Sequence, residues 1–562
     1  MSGGDRQTAF STLTRHFFQG FFRLSFLDDA GEESFKRAMI GVLSGIVAFG
    51  LLLARIRFGK YAGMPSADLY RVMVQADQLQ MIWLEMVVIA MVLAFVSRSL
   101  FPDETDFRIL MALPVPRRTI FAAKLTALTL FAAIFSVCTT IAIGVPFALA
   151  SGGRWSESGV TARVLAEAAA GTLAMASTGA GIVAVQGVIT VLTPRTWLRS
   201  VSVVIQTLMI CGLVLSLPIV IRVPAVAPYL RARATWLYAV APAWFLGVEQ
   251  WLLGNRESYF VRLAFMATVG TIGVALVAAG CYLVLYRRFD RVVIDAARTG
   301  ASRAWHIPLP WPRWLPARHP AYEAVQAFTG ATLRRSSLHQ LVCFGLCAAG
   351  FALVANSVLG NAGRQERFLV GAVLRAPLTL MVVTLVGLRE AMLLPANLKA
   401  AWLFQFTEAE SSRRHQMNAI RDTLFSVGVL APAALAFPIQ TAVLGFASAL
   451  AGLPVVVLLG WMMVEVVLLN WRRIPFTCTV LFAKRPAAHT LLLAILVLFW
   501  LVPIGGVLEQ VAISGLRPWL VVMTILLLTC AGLRWLRLQS WGRLPLEFED
   551  YLPDAIEPLG LR

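Results

Sequence analysis

Charged side chains are scarce in this sequence. Asp, Glu, Lys and Arg make up 14% of its 562 residues, where soluble domains carry about 25%. That shortage excludes an ordinary water-soluble globular chain. Histidine is scarce too, with six in all. The one suggestive spacing, His319 with Glu323, is a single pair and too little for a metal centre. Of the seven cysteines, all but Cys478 lie inside apolar runs, and Cys343 and Cys347 are one helical turn apart rather than in a C-x-x-C pair. Neither a disulfide framework nor a metal site is expected. No G-x-x-x-x-G-K-[ST] phosphate loop and no G-x-S-x-G nucleophile turn occurs. The chain is therefore expected to bind no cofactor and to be no enzyme. A secretory signal peptide is not expected either, because the first 37 residues are polar and mixed and the first apolar run is itself a span.

What is present is apolar sequence in long runs. Hydrophobic residues make up 58% of the chain, and the mean hydropathy is +0.74. A bilayer-crossing helix needs roughly 20 apolar residues. The runs imply an all-α polytopic membrane protein of about 12 transmembrane helices, which we number 38–54, 79–96, 120–150, 164–192, 201–221, 263–286, 338–359, 369–388, 424–447, 449–469, 491–511 and 518–536. The third is long enough to be tilted or broken at Gly144 and Pro146. The fourth is rich in small residues, which let membrane helices approach closely.

The net charge of +19 points to phospholipid head groups as the acidic partner, and no nucleic acid is expected. Lys and Arg collect in the loops on the side of the amino terminus. By the positive-inside rule both termini are cytoplasmic, in a multi-pass protein of the cytoplasmic (inner) membrane. Residues 1–37 hold a candidate interfacial helix, Leu13–Phe26. The spans then group as 38–290 and 339–536, separated by a basic linker 291–338 and followed by a tail, 537–562. Two cytoplasmic loops, 97–119 and 389–423, occupy matching places in the two groups. Trp236–Gly254 is apolar but interrupted by Pro242 and Gly247, and its Trp and Tyr content suits the head-group level. It is expected to be re-entrant or interfacial on the outer side.

Three carboxylates fall within spans or at their edges: Glu85, Glu167 and Glu465. An intramembrane carboxylate marks a functional candidate. Glu85 and Glu465 each fall near an end of their spans, which favours a structural hydrogen bond for both.

The loop after the second span contains Asp106, Leu110, Leu113, Pro114, Val115, Arg117, Arg118, Ile120 and Lys124. It resembles the coupling segment of type-2 ABC exporter permeases: an acidic residue, a leucine-rich turn, Leu-Pro-Val, a basic pair, Ile, and a Lys opening the third span. The resemblance covers the first half well. It implies two fused six-helix halves, each with an elbow helix (Leu13–Phe26, and Tyr322–Ser337 in the second half), and a re-entrant hairpin at Trp236–Gly254. It further implies an ATPase subunit, in two copies, holding ATP and Mg and docked at the two cytoplasmic loops. The second docking segment is then Trp402–Arg414, with Trp402, Phe404, Glu408, Arg413 and Arg414, although no Leu-Pro-Val occurs there. Two other readings stay open. An ion-coupled carrier of twelve spans would need several mid-membrane polar groups. A membrane-embedded lipid-linked transferase would need Asp, Glu or His clustered at one membrane face.

Overall fold

A computed structural model of the chain describes residues 3–21, 59–61, 63–96, 116–193, 195–298, 319–361, 365–394, 410–469, 471–477 and 487–543, with the single positions 48, 100, 396, 404, 406 and 546. These residues form helices and turns, with no strand among them. Among the described residues nine helices are long and apolar enough to cross a bilayer. A tenth candidate is the pair Val204–Val220 and Val223–Arg231, bent by 62°, and Val497–Ile513 is a shorter apolar helix. The protein is an all-α polytopic membrane protein. The expected first span, 38–54, lies outside the described residues apart from position 48.

The chain divides into two compact units, Met1–Ala304 and Trp305–Arg562. The divide falls inside the basic linker. In unit 1, α1 (Gly3–Gly20) precedes α2 (Ala67–Val96) and α3 (Arg117–Thr139). A five-residue π segment, Thr140–Gly144, leads into α4 (Val145–Ala150). Then come α5 (Val160–Leu192), α6 (Arg195–Arg222), the short α7 (Ala227–Arg231), α8 (Ala241–Leu252) and α9 (Ser258–Arg298). Unit 2 holds α10 (Pro320–Arg335), α11 (Ser337–Asn361), α12 (Glu366–Leu393) and α13 (Glu410–Phe425). A second π segment, Ser426–Leu430, leads into α14 (Ala431–Leu444). The unit ends with α15 (Phe446–Leu468), α16 (Ala487–Ile513) and α17 (Leu516–Arg543).

The π segments have a local cause. Each is followed by a proline at the second residue of the next helix, Pro146 and Pro432. Proline has no N–H for the carbonyl one turn back, and its ring crowds that carbonyl. Widening the turn by one residue relieves the crowding. In both units the widened bond is in place: Val145 N–H donates to Thr140 O, and Ala431 N–H donates to Ser426 O. The break expected in the third span is thus a widened turn through which the helix continues.

The two units share an order of burial. The apolar windows of α2 and α12 are 72% and 67% buried, against 17% for both α9 and α17. Among the apolar helices described in each unit, α2 and α12 are the most buried and the last helix is the least. The outer helices carry bare apolar side chains, such as Phe265, Ile272 and Leu276 on α9 and Val521, Ile525 and Leu528 on α17. Such surfaces are stable only against lipid or another apolar partner.

Each unit also has a short first helix packed on its third-span helix. In unit 1, Phe17 of α1 and Phe21 just after it are buried against α3, with Phe21 5.4 Å from Phe131 between ring centroids. In unit 2, Tyr322 of α10 donates its hydroxyl to Asp422 of α13 at 2.9 Å. The starting proline of α10 suits a helix N-terminus, and the His319 ring accepts from Ala321 N–H.

Candidate functional site: buried carboxyls between α2, α5 and α8

Glu85 was expected near the end of a span beginning at Leu79. The helix instead begins at Ala67, so Glu85 lies deep within it and is fully buried. Glu167 on α5 and Glu249 on α8 are each 1% exposed. The three converge. Glu85 Oε1 lies 2.8 Å, and Glu167 Cγ 3.3 Å, from the point where a Cβ on Gly144 would stand. A Cβ on Gly171 would fall 2.0 Å from Glu85 Oε2. Gly144 ends the π segment and Gly171 belongs to α5, so both glycines are there to admit a carboxyl. Small residues in the fourth span do allow close approach, as their composition suggests, but at Gly171 what approaches is a side chain.

Amides line one side of the site. Gln78 of α2 donates to Glu249, and Gln250 of α8 donates to Gln78 Oε1 at 2.8 Å. Gln75 donates to Gln250 Oε1 at 3.1 Å. Glu167 and Glu249 are neighbours where α5 packs on α8. Between two carboxylates that contact contains no hydrogen. Among the described residues neither Glu167 oxygen, neither Glu85 oxygen, nor Glu249 Oε2 has a donor. Two ionised carboxylates about 4 Å apart repel by about 4 kcal/mol even at an effective dielectric of about 20. That is a large fraction of the total stability of about 5–15 kcal/mol typical of a domain.

Glu249 was not among the sequence candidates. Its segment was expected to be re-entrant or interfacial, where a carboxylate is wetted. The helix α8 packs on α2, α5 and α9, with Ala243, Phe245 and Leu246 buried. Gly247 does not interrupt it. A Cβ there would meet Ala264 N at 2.6 Å and Phe260 O at 2.8 Å, so this glycine lets α8 lie against the α9 backbone. A signal was available in the sequence: Val248-Glu249-Gln250 recurs as Leu508-Glu509-Gln510, each shortly before the last helix of its unit.

Unit 2 settles its buried charge differently. Glu465 on α15 and Arg537 on α17 form a fully buried ion pair. Trp461 donates to Glu465 at 2.8 Å, and the Arg537 guanidinium lies 4.0 Å over the Trp541 ring. Glu509 on α16 accepts from Gln440 of α14 at 2.9 Å. A Cβ on Gly452 would stand 2.7 Å from its Oε1. Arg537 and Glu509 were also absent from the sequence candidates.

The residues expected to dock an ATPase are divided. Asp106, Leu110, Leu113, Pro114, Trp402 and Glu408 lie outside the described residues. Arg117 opens α3, and Arg118 beside it is exposed. Lys124 is buried, with its ammonium 4.9 Å from the Phe17 ring centre. Phe404 is buried against Phe328 of α10, whereas Phe406 is 84% exposed. Arg413 is half-buried and Arg414 exposed. His319 stacks on His415 at 4.3 Å, which joins the start of α10 to α13. Among the described residues no group of three or more metal-ligating side chains is arranged to hold an ion.

Compared with family models, with curated proteins and with solved structures, the chain matches none.

Proposed function

We propose that the chain is the membrane-spanning subunit of an exporter of the type-2 ABC kind, two half-permeases fused in one chain and driven by a separate ATPase. The ATPase, in two copies with ATP and Mg, docks at loops 97–119 and 389–423. The subunit lies in the cytoplasmic membrane with both termini inside, and lipids surround its outer helices. The observation that carries this reading is the repeated order of parts. In each unit a short first helix grips the helix that leaves the docking loop, α1 on α3 and α10 on α13. In each unit that helix then passes through a π segment followed by proline. A force applied at the loop is transmitted because the gripping helix makes the loop end and the span one packed body. The π turn beyond it is where the helix yields most readily. Differential binding of the loops in the two nucleotide states supplies the driving free energy.

The test is affinity purification of the whole chain in mild detergent, with identification of the co-purifying subunits and an ATP hydrolysis assay. An ATPase at two copies per chain, released by Leu110→Asp with Leu113→Asp while the chain stays inserted, is the expected result. A chain that purifies alone and hydrolyses no ATP with any membrane partner overturns it. The convergence of Glu85, Glu167 and Glu249 favours a second reading, the ion-coupled carrier. An imposed proton gradient that drives solute uptake by the purified chain in vesicles, without ATP, would establish that one instead.

A further inference from the structure

Glu167 and Glu249 are neighbours, and Glu85 lies beside Glu167 at Gly144 with both oxygens unpartnered among the described residues and no exposed surface. No described cation offsets them. The charged groups on α2, α5 and α7 and around the start of α9 are engaged elsewhere, while Arg222 closes α6, which also packs on α2. On α2, Asp77 binds Lys60 and the Tyr61 hydroxyl, Arg71 binds Glu157, and Asp68 faces Arg231 from α7. On α5, one turn before Glu167, Arg163 donates to Ala148 O at 3.2 Å and to Ser156 Oγ and Ser158 O. Arg233, ahead of α8, is paired with Glu257 and lies over the Tyr259 ring at the start of α9, and Arg262 of α9 lies over Tyr238. No such group belongs to α4 or the π segment.

The carboxyl is not required for packing. Gly428 in the second π segment approaches the central helix of its own unit as Gly144 does, and the side chain it meets is Leu385, whose Cδ2 is 2.4 Å from the point of an added Cβ. Where unit 2 places a leucine, unit 1 places an acid. The Gly144 and Gly171 backbones crowd the Glu85 carboxyl on two sides, and a proton is the smallest ligand a carboxyl takes. The ligand that fits is a proton.

We propose that Glu85, Glu167 and Glu249 form a proton-binding site between α2, α5 and α8, which at neutral pH holds at least two protons and exchanges them with water. Each bound proton removes one negative charge, and one held between Glu167 and Glu249 supplies the hydrogen that their contact lacks. The inference does not depend on the ATPase assignment.

The experiment is infrared difference spectroscopy of the full chain reconstituted in phosphatidylcholine vesicles, over a pH series in H2O and D2O. Exposed carboxyls are ionised well below neutrality, with ordinary values of about 4. The expected result is a protonated carboxylic C=O band that persists at neutral pH, shifts in D2O and fades as the pH rises. Part of it is lost in each of Glu85→Leu, Glu167→Gln and Glu249→Gln. Glu509→Gln subtracts the buried acid of unit 2 that Gln440 holds, and Glu465→Gln leaves the band unchanged. Absence of a protonated band at neutral pH in the wild-type chain overturns the proposal, and this needs no variant to fold. A band removed entirely by Glu509→Gln, or untouched by all three unit 1 variants, overturns it equally.

Discussion

The two units pack a π-segment glycine against a central helix, but against opposite chemistries. Gly144 meets the carboxyl of Glu85, and Gly428 meets the methyls of Leu385. The units differ again in how buried charge is balanced. Glu465 is neutralised by Arg537 inside unit 2, whereas three carboxyls of unit 1 have no described cation. An ion pair buried in one place gives up hydration on both partners but carries no net charge. It suits a joint that keeps the same partners throughout. Carboxyls gathered without a cation have a net charge that depends on protons, so their contacts change with the solution or with the conformation. The shared architecture shows that the difference lies in the side chains and not in the frame.

This contrast can be broken by substitution. The largest effect is expected for Arg537→Leu, which strands Glu465 as an unpaired buried charge. A loss of about 3–5 kcal/mol is expected, read as a lowered melting temperature in detergent, with most of it recovered when Glu465→Leu is added. A silent Arg537→Leu would mean that the two units do not differ in this way. Next is Gly171→Ala, whose methyl must displace the Glu85 carboxyl; overpacking of this sort costs about 1–3 kcal/mol. Adding Glu85→Ala should restore part of that stability, and a double-mutant cycle with no coupling would place Glu85 elsewhere. Glu85→Leu brings the site close to its counterpart in unit 2. Stability should stay within about 1 kcal/mol or rise, as apolar replacement of buried charge often allows; a loss several times larger would make Glu85 a structural partner after all. The smallest effect is expected at Gly273 on α9, where an added Cβ meets nothing within 4 Å. Gly273→Ala should change the melting temperature by no more than about 0.5 kcal/mol of stability would.

The helices were legible because hydropathy and length decide them in a bilayer. The short first helix of unit 1 was expected over Leu13–Phe26 and runs over Gly3–Gly20, and that of unit 2, expected over Tyr322–Ser337 from the resemblance alone, runs over Pro320–Arg335. The candidate site was half legible. Glu85 and Glu167 stand out as acids in apolar runs, but the depth of Glu85 did not, because the polar residues Gln75, Asp77 and Gln78 made the helix before Leu79 read as loop. Those same side chains are polar because they face Glu249, Gln250 and Tyr61, contacts that join residues far apart in the chain. Glu249 escaped notice because its tryptophans suggested the head-group level. Trp251 is indeed 42% exposed, but the opposite side of the same helix is dry. Arg537 was missed because a cation near the end of the last span reads as a loop residue until its partner on another helix is known.

The widened turns at Thr140–Gly144 and Ser426–Leu430 also bear on how the third-span helices are to be read. Each residue of an α-helix turns the chain by about 100°, and a π turn slips one extra residue into that rhythm. A helical wheel drawn straight through either segment falls out of phase and assigns every later side chain to the wrong face. Phe147 and Ala148 on one side of the slip, and Phe135 and Ser136 on the other, are buried on two separate wheels. A substitution scan along α3 and α4, or along α13 and α14, should therefore show a tolerance pattern that skips one beat at the same point ahead of each proline.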